Sequence, residues 1–140
     1  MTTSTAFRQD IADAVFSLPV ATALAFTFTG IGDGRAEGRL PWREDHSHAP
    51  GAFQAGPITS LADFVGAAAA ATHLPVGTHV ITTDLAVKFL TEARGAVLVA
   101  RARILRPGRR TSVAAVDLTV DDGTELCATA LLTVTNHSPA

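Results

Sequence analysis

The chain carries a single cysteine, Cys127, among its 140 residues. An internal disulfide is therefore excluded, and without metal-type Cys/His spacing the composition points to a reducing compartment. Charge is also scarce: Asp, Glu, Lys and Arg make up 17% of the residues, against about 25% in typical globular chains. Scarce charge beside 47% hydrophobic residues implies apolar surface that something other than water covers, and a second subunit is the expected cover. A bilayer is not, because long hydrophobic runs are missing. The longest, around Phe64 to Ala71, falls short of the roughly 18 residues that a membrane-crossing helix needs. The first ten residues lack the basic region, apolar stretch and cleavage site of an export signal, so a cytoplasmic location is expected. A net charge of -2 gives no general attraction to nucleic acid or anionic membrane, and neither is an expected partner. No repeat or low-complexity linker divides the chain, so residues 1–140 read as one domain.

What is present is patterned. Phe7, Ile11, Val15 and Leu18 recur at helical spacing and predict an amphipathic N-terminal helix over residues 6–17, ending before Pro19. Leu24, Phe26 and Phe28 alternate with small or hydroxyl residues, as a half-buried strand does. Gly30, Gly32 and Gly34 then turn the chain toward a returning strand over 35–40. A polar, irregular loop carries Trp42, Asp45, His46 and His48. Pro57, with Ile58, Leu61, Ala62 and Val65 at i, i+3, i+4 and i+7 spacing, predicts a helix over 56–72. Beyond Asp63 that helix is apolar on every side, which predicts burial. Segments 78–90, 96–105, 111–120 and 125–135 are rich in Val, Ile, Leu and Thr, with turns at Arg94-Gly95, Pro107-Gly108 and Asp121-Asp122-Gly123. The expected class is α+β: an antiparallel meander wrapped around one buried helix.

Asp63 is the only charged residue within the predicted helix. It reads either as a catalytic acid or as a partly solvated carboxylate favoured by the helix dipole, although that effect fades after the first turn. The small-residue loop Gly51-Ala52-Phe53-Gln54-Ala55-Gly56-Pro57 runs into the helix start, where free N–H groups bind anions or a developing oxyanion. Pro57 donates nothing, so Ala55 and Gly56 are the candidate donors. A plain loop-to-helix junction is the alternative. His46 and His48 lack the further ligands of a metal site, Cys127 reads as a core residue, and Ser60 lacks a nucleophile-elbow context. Arg101, Arg103, Arg106, Arg109 and Arg110 form a local basic cluster. Of these, Arg106, Arg109 and Arg110 suit phosphate oxygens, or else decorate a solvated turn.

The stretch 51–71, followed by Ile81-Thr82-Thr83-Asp84-Leu85-Ala86-Val87-Lys88-Phe89-Leu90 and Gly108-Arg109-Arg110-Thr111, resembles the PaaI-like branch of the hotdog-fold acyl-CoA thioesterases, over residues 48–135. In that family a loop motif, often His-Gly-Gly, opens the central helix, and an acid nine residues after its first member does the chemistry. Here Gln54 plus nine is Asp63, within Leu61-Ala62-Asp63, and the long strand ends in the family's Phe-Leu step at Phe89-Leu90. Two positions depart: His-Gly-Gly is Gln54-Ala55-Gly56, and His48 stands where characterised members often have Asn. The resemblance implies a hotdog fold, with an antiparallel sheet around one long central helix and an N-terminal helix beside it. It also implies cleavage of an acyl-CoA thioester without cofactor or metal, at a site shared between subunits of a homodimer that pairs again into a homotetramer. Asp63, Gln54, Ala55 and Gly56 are then the catalytic group, and His48, Thr83, Arg106, Arg109 and Arg110 bind substrate. A non-catalytic acyl-CoA or apolar-ligand binder on the same fold is the rival. A hydratase ranks behind it, because no histidine lies in the helix-entry motif.

Overall fold

A computed structural model of the chain describes residues 7–137. Two short helices come first, α1 (Gln9–Phe16) and α2 (Pro19–Leu24). Of the helix expected over residues 6–17, the first residue lies outside the described residues, and the helix that is described runs from Gln9 to Phe16. Pro19 ends α1 as expected, but it also starts α2 at a first-turn position, where a missing N–H costs nothing. Leu24 is consequently a buried helical residue rather than part of a strand, and Ala25, with φ 64°, turns the chain into β1 (Thr27–Gly32). The tight turn to β2 (Arg35–Pro41) is made by Asp33 and Gly34, at φ 57° and 79°. That left-handed pair is the hairpin geometry suited to strand twist, so Gly30 and Gly32 belong to the strand. The loop that reads as irregular contains a 3-10 turn (Glu44–His46) and two short paired strands, β3 (Ser47–Ala49) and β4 (Ala52–Phe53).

Next comes α3 (Ala55–Ala71), 17 residues long, and then β5 (His79–Phe89), β6 (Val97–Arg106), β7 (Thr111–Val120) and β8 (Ala128–His137). The main sheet has six antiparallel strands in the order β1-β2-β6-β7-β8-β5. Only β6-β7-β8 form the expected meander, because β5 pairs with β8 at the far edge. Between β5 and β6 the chain passes over β8 and β7, and β5, at the edge, keeps one free side. Leu61 and Val65 of α3 and Leu98, Val116, Leu118 and Leu132 of the sheet are fully buried between the layers. Gly38 and Gly66 allow that approach: a Cβ at Gly66 would run into Leu132 and Val116, and one at Gly38 into Val65. This is the hotdog arrangement, a sheet curled around a central helix.

Beyond Asp63 α3 is buried nearly all round, as expected: Val65, Gly66, Ala68, Ala69, Ala70 and Ala71 are buried and only Phe64 and Ala67 are partly open. Before that point burial is one-sided, with Ile58, Leu61 and Ala62 buried and Thr59, Ser60 and Asp63 partly open. Phe64 stacks on Phe26 at 5.7 Å, within an aromatic cluster that Phe16 and Phe28 extend beneath α1. Among the described residues, no helix is long and apolar enough to cross a membrane.

Candidate active site

The entry to α3 is stitched to its surroundings by backbone hydrogen bonds. Phe53 N–H donates to Ala93 O at 2.8 Å, Gln54 N–H to His46 O at 2.9 Å, and Gly95 N–H to Gly51 O at 2.9 Å. The Trp42 indole N–H reaches Ala52 O at 3.2 Å. Held this way, Gln54 is extended (φ -77°, ψ 154°) and caps α3, its side-chain Oε1 accepting the Gly56 N–H at 2.5 Å. The cap changes which donors are free. Pro57 has no N–H, and Gly56 spends its own on Gln54, while the Ala55 N–H has no acceptor among the described residues. With Oε1 engaged, the Gln54 amide is left with its NH₂ as donor. Of the expected donors Ala55 and Gly56, the Gly56 N–H is thus spent within the cap, and the donors left free at this entry are the Ala55 N–H and Gln54 Nε2.

A cleft of about 510 Å³ opens at this entry, lined by the apolar Phe53, Ile58, Phe89 and Leu90 together with His48, Gln54, Ala55 and Glu92. His48 Nε2 lies 3.0 Å from Glu92 Oε2, and Arg94 Nε donates to Glu92 Oε1 at 2.9 Å. Arg94 foremost, with His48, holds the Glu92 carboxyl below the usual carboxylate range. Sequence reasoning missed Glu92, since the crossover that brings residues 91–94 beside the helix entry has no local signal. A second cleft, of about 420 Å³ beside β1, β2 and β6, shares no residue with the first.

Asp63 lies nine residues along α3 from Gln54, about 13 Å at the helical rise. Its Oδ1 accepts from Thr82 Oγ1 at 2.6 Å, and no cation pairs with it among the described residues. Burial pushes the carboxyl above the usual range, with the Thr82 hydrogen bond pulling the other way. Thr82 is therefore the residue that meets the acid. Thr83 sits at a bulge in β5, where its exposed hydroxyl donates to Thr133 O at 3.3 Å.

The basic cluster divides. Arg101 pairs with Glu37 at 2.9 Å and Arg103 with Asp117 at 3.6 Å, across the exposed face of the sheet. Arg106, the last residue of β6, and Arg109 and Arg110, in the β6–β7 turn, are exposed and have no carboxylate partner among the described residues. That turn packs at the C-terminal end of α3, opposite Gln54, where His73 meets Gly108. Cys127 is buried, and its thiol donates to Leu118 O at 3.3 Å. His46 is buried with its Nδ1 unpartnered. Among the described residues, no three His, Cys, Asp or Glu side chains group as metal ligands.

A family model, that of the thioesterase superfamily, matches residues 55–127, slightly more than half of the chain. Three solved structures are similar over nearly their whole lengths. A thioesterase family protein from Silicibacter pomeroyi is 25% identical with a TM-score of 0.86, covering 95% of this chain and 99% of its own. A phenylacetic acid degradation-related protein from Ralstonia eutropha JMP134 is 25% identical with a TM-score of 0.76, covering 89% and 98%. A thioesterase from Haemophilus influenzae, 22% identical with a TM-score of 0.82 and covering 99% and 96%, shares the fold. No curated protein matches the sequence.

Proposed function

The chain belongs to the thioesterase superfamily and is a thioester hydrolase, and from that premise we propose that it cleaves an acyl-CoA into a free acid and coenzyme A at a site completed by a second subunit. The observation that carries this reading is the separation of the two chemical groups. A thioester carbonyl held by Ala55 N–H and Gln54 Nε2 lies about 13 Å along the helix from the Asp63 of the same chain. No single protomer can use both.

The free side of β5 offers the remedy. This edge is 11 residues long, has no proline, and carries exposed Ile81 and Phe89, with Leu90 just beyond. Such an edge pairs readily with another strand. Two copies related by a two-fold axis through the middle of β5 place their strands, and hence their α3 helices, antiparallel. The Phe89 end of one β5, beside Gln54, then neighbours the Thr82 end of the other, beside Asp63. Assembly of two such dimers into a tetramer completes the proposal, and the reducing cytoplasm suits its lone thiol.

In this arrangement the acyl chain and pantetheine arm lie against Phe53, Ile58, Phe89 and Leu90. The carbonyl oxygen points at Ala55 N–H and Gln54 Nε2, which stabilise the negative charge of the tetrahedral intermediate. Asp63 of the partner subunit takes a proton from water as the water oxygen attacks, or attacks the carbonyl itself to give an anhydride that water then opens. Both routes need the ionised carboxylate, and both end with the C–S bond broken and the thiolate of coenzyme A taking up a proton. His48 sits on the rim where the substrate enters, and Thr83 lies on the pairing edge. Arg106, Arg109 and Arg110 come from the same subunit as the acid and face the phosphates.

The test is turnover across acyl-CoAs of differing chain length and aromaticity. The expected result is hydrolysis by a species larger than 14.5 kDa, strongest for one acyl class. Tight binding of every acyl-CoA without turnover would overturn the reading in favour of a binding protein.

A further inference from the structure

We infer that His73, Asn136 and Ser112 are positioning residues that lock the backbone of the β6–β7 turn so that Arg109 and Arg110 are presented to the phosphates of coenzyme A. This rests on the reading above that those arginines bind the nucleotide end of the substrate.

The three side chains come from three different elements and converge on one short segment. His73, just after α3, places Nδ1 2.6 Å from Ala70 O and Nε2 3.1 Å from Gly108 O, a neutral ring donating to one of the two carbonyls and a charged ring to both. Asn136, near the end of β8, donates its Nδ2 to Gly108 O at 2.7 Å and to Arg109 O at 3.1 Å. Its backbone N–H reaches Arg110 O at 2.8 Å. Ser112, wholly buried, accepts the Gly108 N–H at 3.2 Å. Gly108 is needed for the fold of the turn, because a Cβ there would collide with the Thr111 carbonyl.

Every one of these bonds grips main chain. None engages a guanidinium, and the arginines of this turn have no carboxylate partner among the described residues, unlike Arg101 and Arg103 beside them on β6. A turn anchored only for stability would gain equally from pairing its arginines with neighbouring acids. A fixed main chain carrying free guanidinium forks is the arrangement that suits an external phosphate. Holding the turn beforehand lowers the ordering cost of binding.

The experiment compares one acyl group carried on coenzyme A with the same group on pantetheine, which lacks the nucleotide and its phosphates. In Asn136→Ala and His73→Ala, KM for the acyl-CoA should rise about 2- to 10-fold, the equivalent of one lost hydrogen bond. The kcat should stay unchanged, as should both constants for the acyl-pantetheine. His73→Gln keeps a donor near Gly108 O and should recover part of the KM. Should His73→Ala fail to fold, Asn136→Ala carries the test alone, since its substitution leaves the α3 contacts in place. Equal KM increases for both thioesters, or no increase for either in folded variants, would overturn the positioning role. The double variant Arg109→Ala/Arg110→Ala separates the two levels. If it raises KM for acyl-CoA alone while the Asn136 and His73 variants do nothing, phosphate binding stands and positioning fails. If it leaves that KM unchanged, the phosphate reading fails and this inference with it.

Discussion

At its entry α3 offers donors and no charge: an unpartnered N–H at Ala55 and the amide of Gln54, opening on an apolar cleft. Two and a half turns further along, the same helix offers a charge and no donor of its own, a half-buried Asp63 met only by Thr82. The entry is stitched in place by four hydrogen bonds, two with the loop before it and two with the β5–β6 crossover. Asp63 lies beneath β5, the strand whose other side is free. On the proposed reading the contrast makes these two half-sites of complementary chemistry, each prepared by different neighbours, which assembly rather than folding would unite.

Each half can be broken alone. Asp63→Asn keeps the shape and an acceptor for Thr82 but removes the charge, so kcat should fall by at least ~100-fold. The acidic limb of kcat/KM should disappear with it; in the wild type that limb lies above the usual carboxylate range, because burial raises the group. At the other end, Ala55→Pro deletes a single N–H. Proline is at home at the first position of a helix, and Gln54 already holds the extended conformation that precedes a proline. Loss of one oxyanion donor should cost about 100-fold in kcat with KM little changed. A folded Ala55→Pro enzyme with near-normal kcat would remove the backbone donor from the account.

The smallest effect is on stability. Burial raises the Asp63 carboxyl in the folded chain, so the folded state holds its proton more tightly than the unfolded state. The contribution of this group is then fully present below the ordinary carboxylate pKa of about 4, and is lost as pH rises through the raised folded value. Asp63→Asn removes that cost. Thermal melts should show the variant melting higher than wild type at neutral pH, with the advantage gone at about pH 4 or below. A variant less stable at pH 7 would mean that the charge is compensated by a neighbour.

Much of this was legible from residue order. Asp63 stands out because a charge in an otherwise uncharged helix has no solvent-facing reason to be there, and the 3.6-residue period located α3 to within a residue at each end. The later strands announced themselves through β-branched runs between glycine-marked turns. What stayed hidden is what depends on contacts far apart in the chain. Pro19 ends one helix and begins the next, and the periodicity read across it signals only the end. The position of β5 beside β8, the meeting of His48 with Glu92, and the contact of Thr82 with Asp63 all depend on the crossover and on a bulge, neither of which has a sequence period. The split of the arginine cluster likewise depends on which strand face points at Glu37 and Asp117.

The central claim, that donors and acid of one working site come from different chains, is tested most directly by mixing the two broken enzymes. Asp63→Asn and Ala55→Pro proteins, each nearly inactive, would be unfolded together and refolded as a one-to-one mixture. Half of the resulting two-fold pairs are hybrids, each with one site in which both halves are intact, so activity should return to about a quarter of the wild-type level. Activity no higher than the average of the two separate variants, with hybrid pairs demonstrably formed, would mean that each chain uses its own Asp63, and the shared site would be wrong.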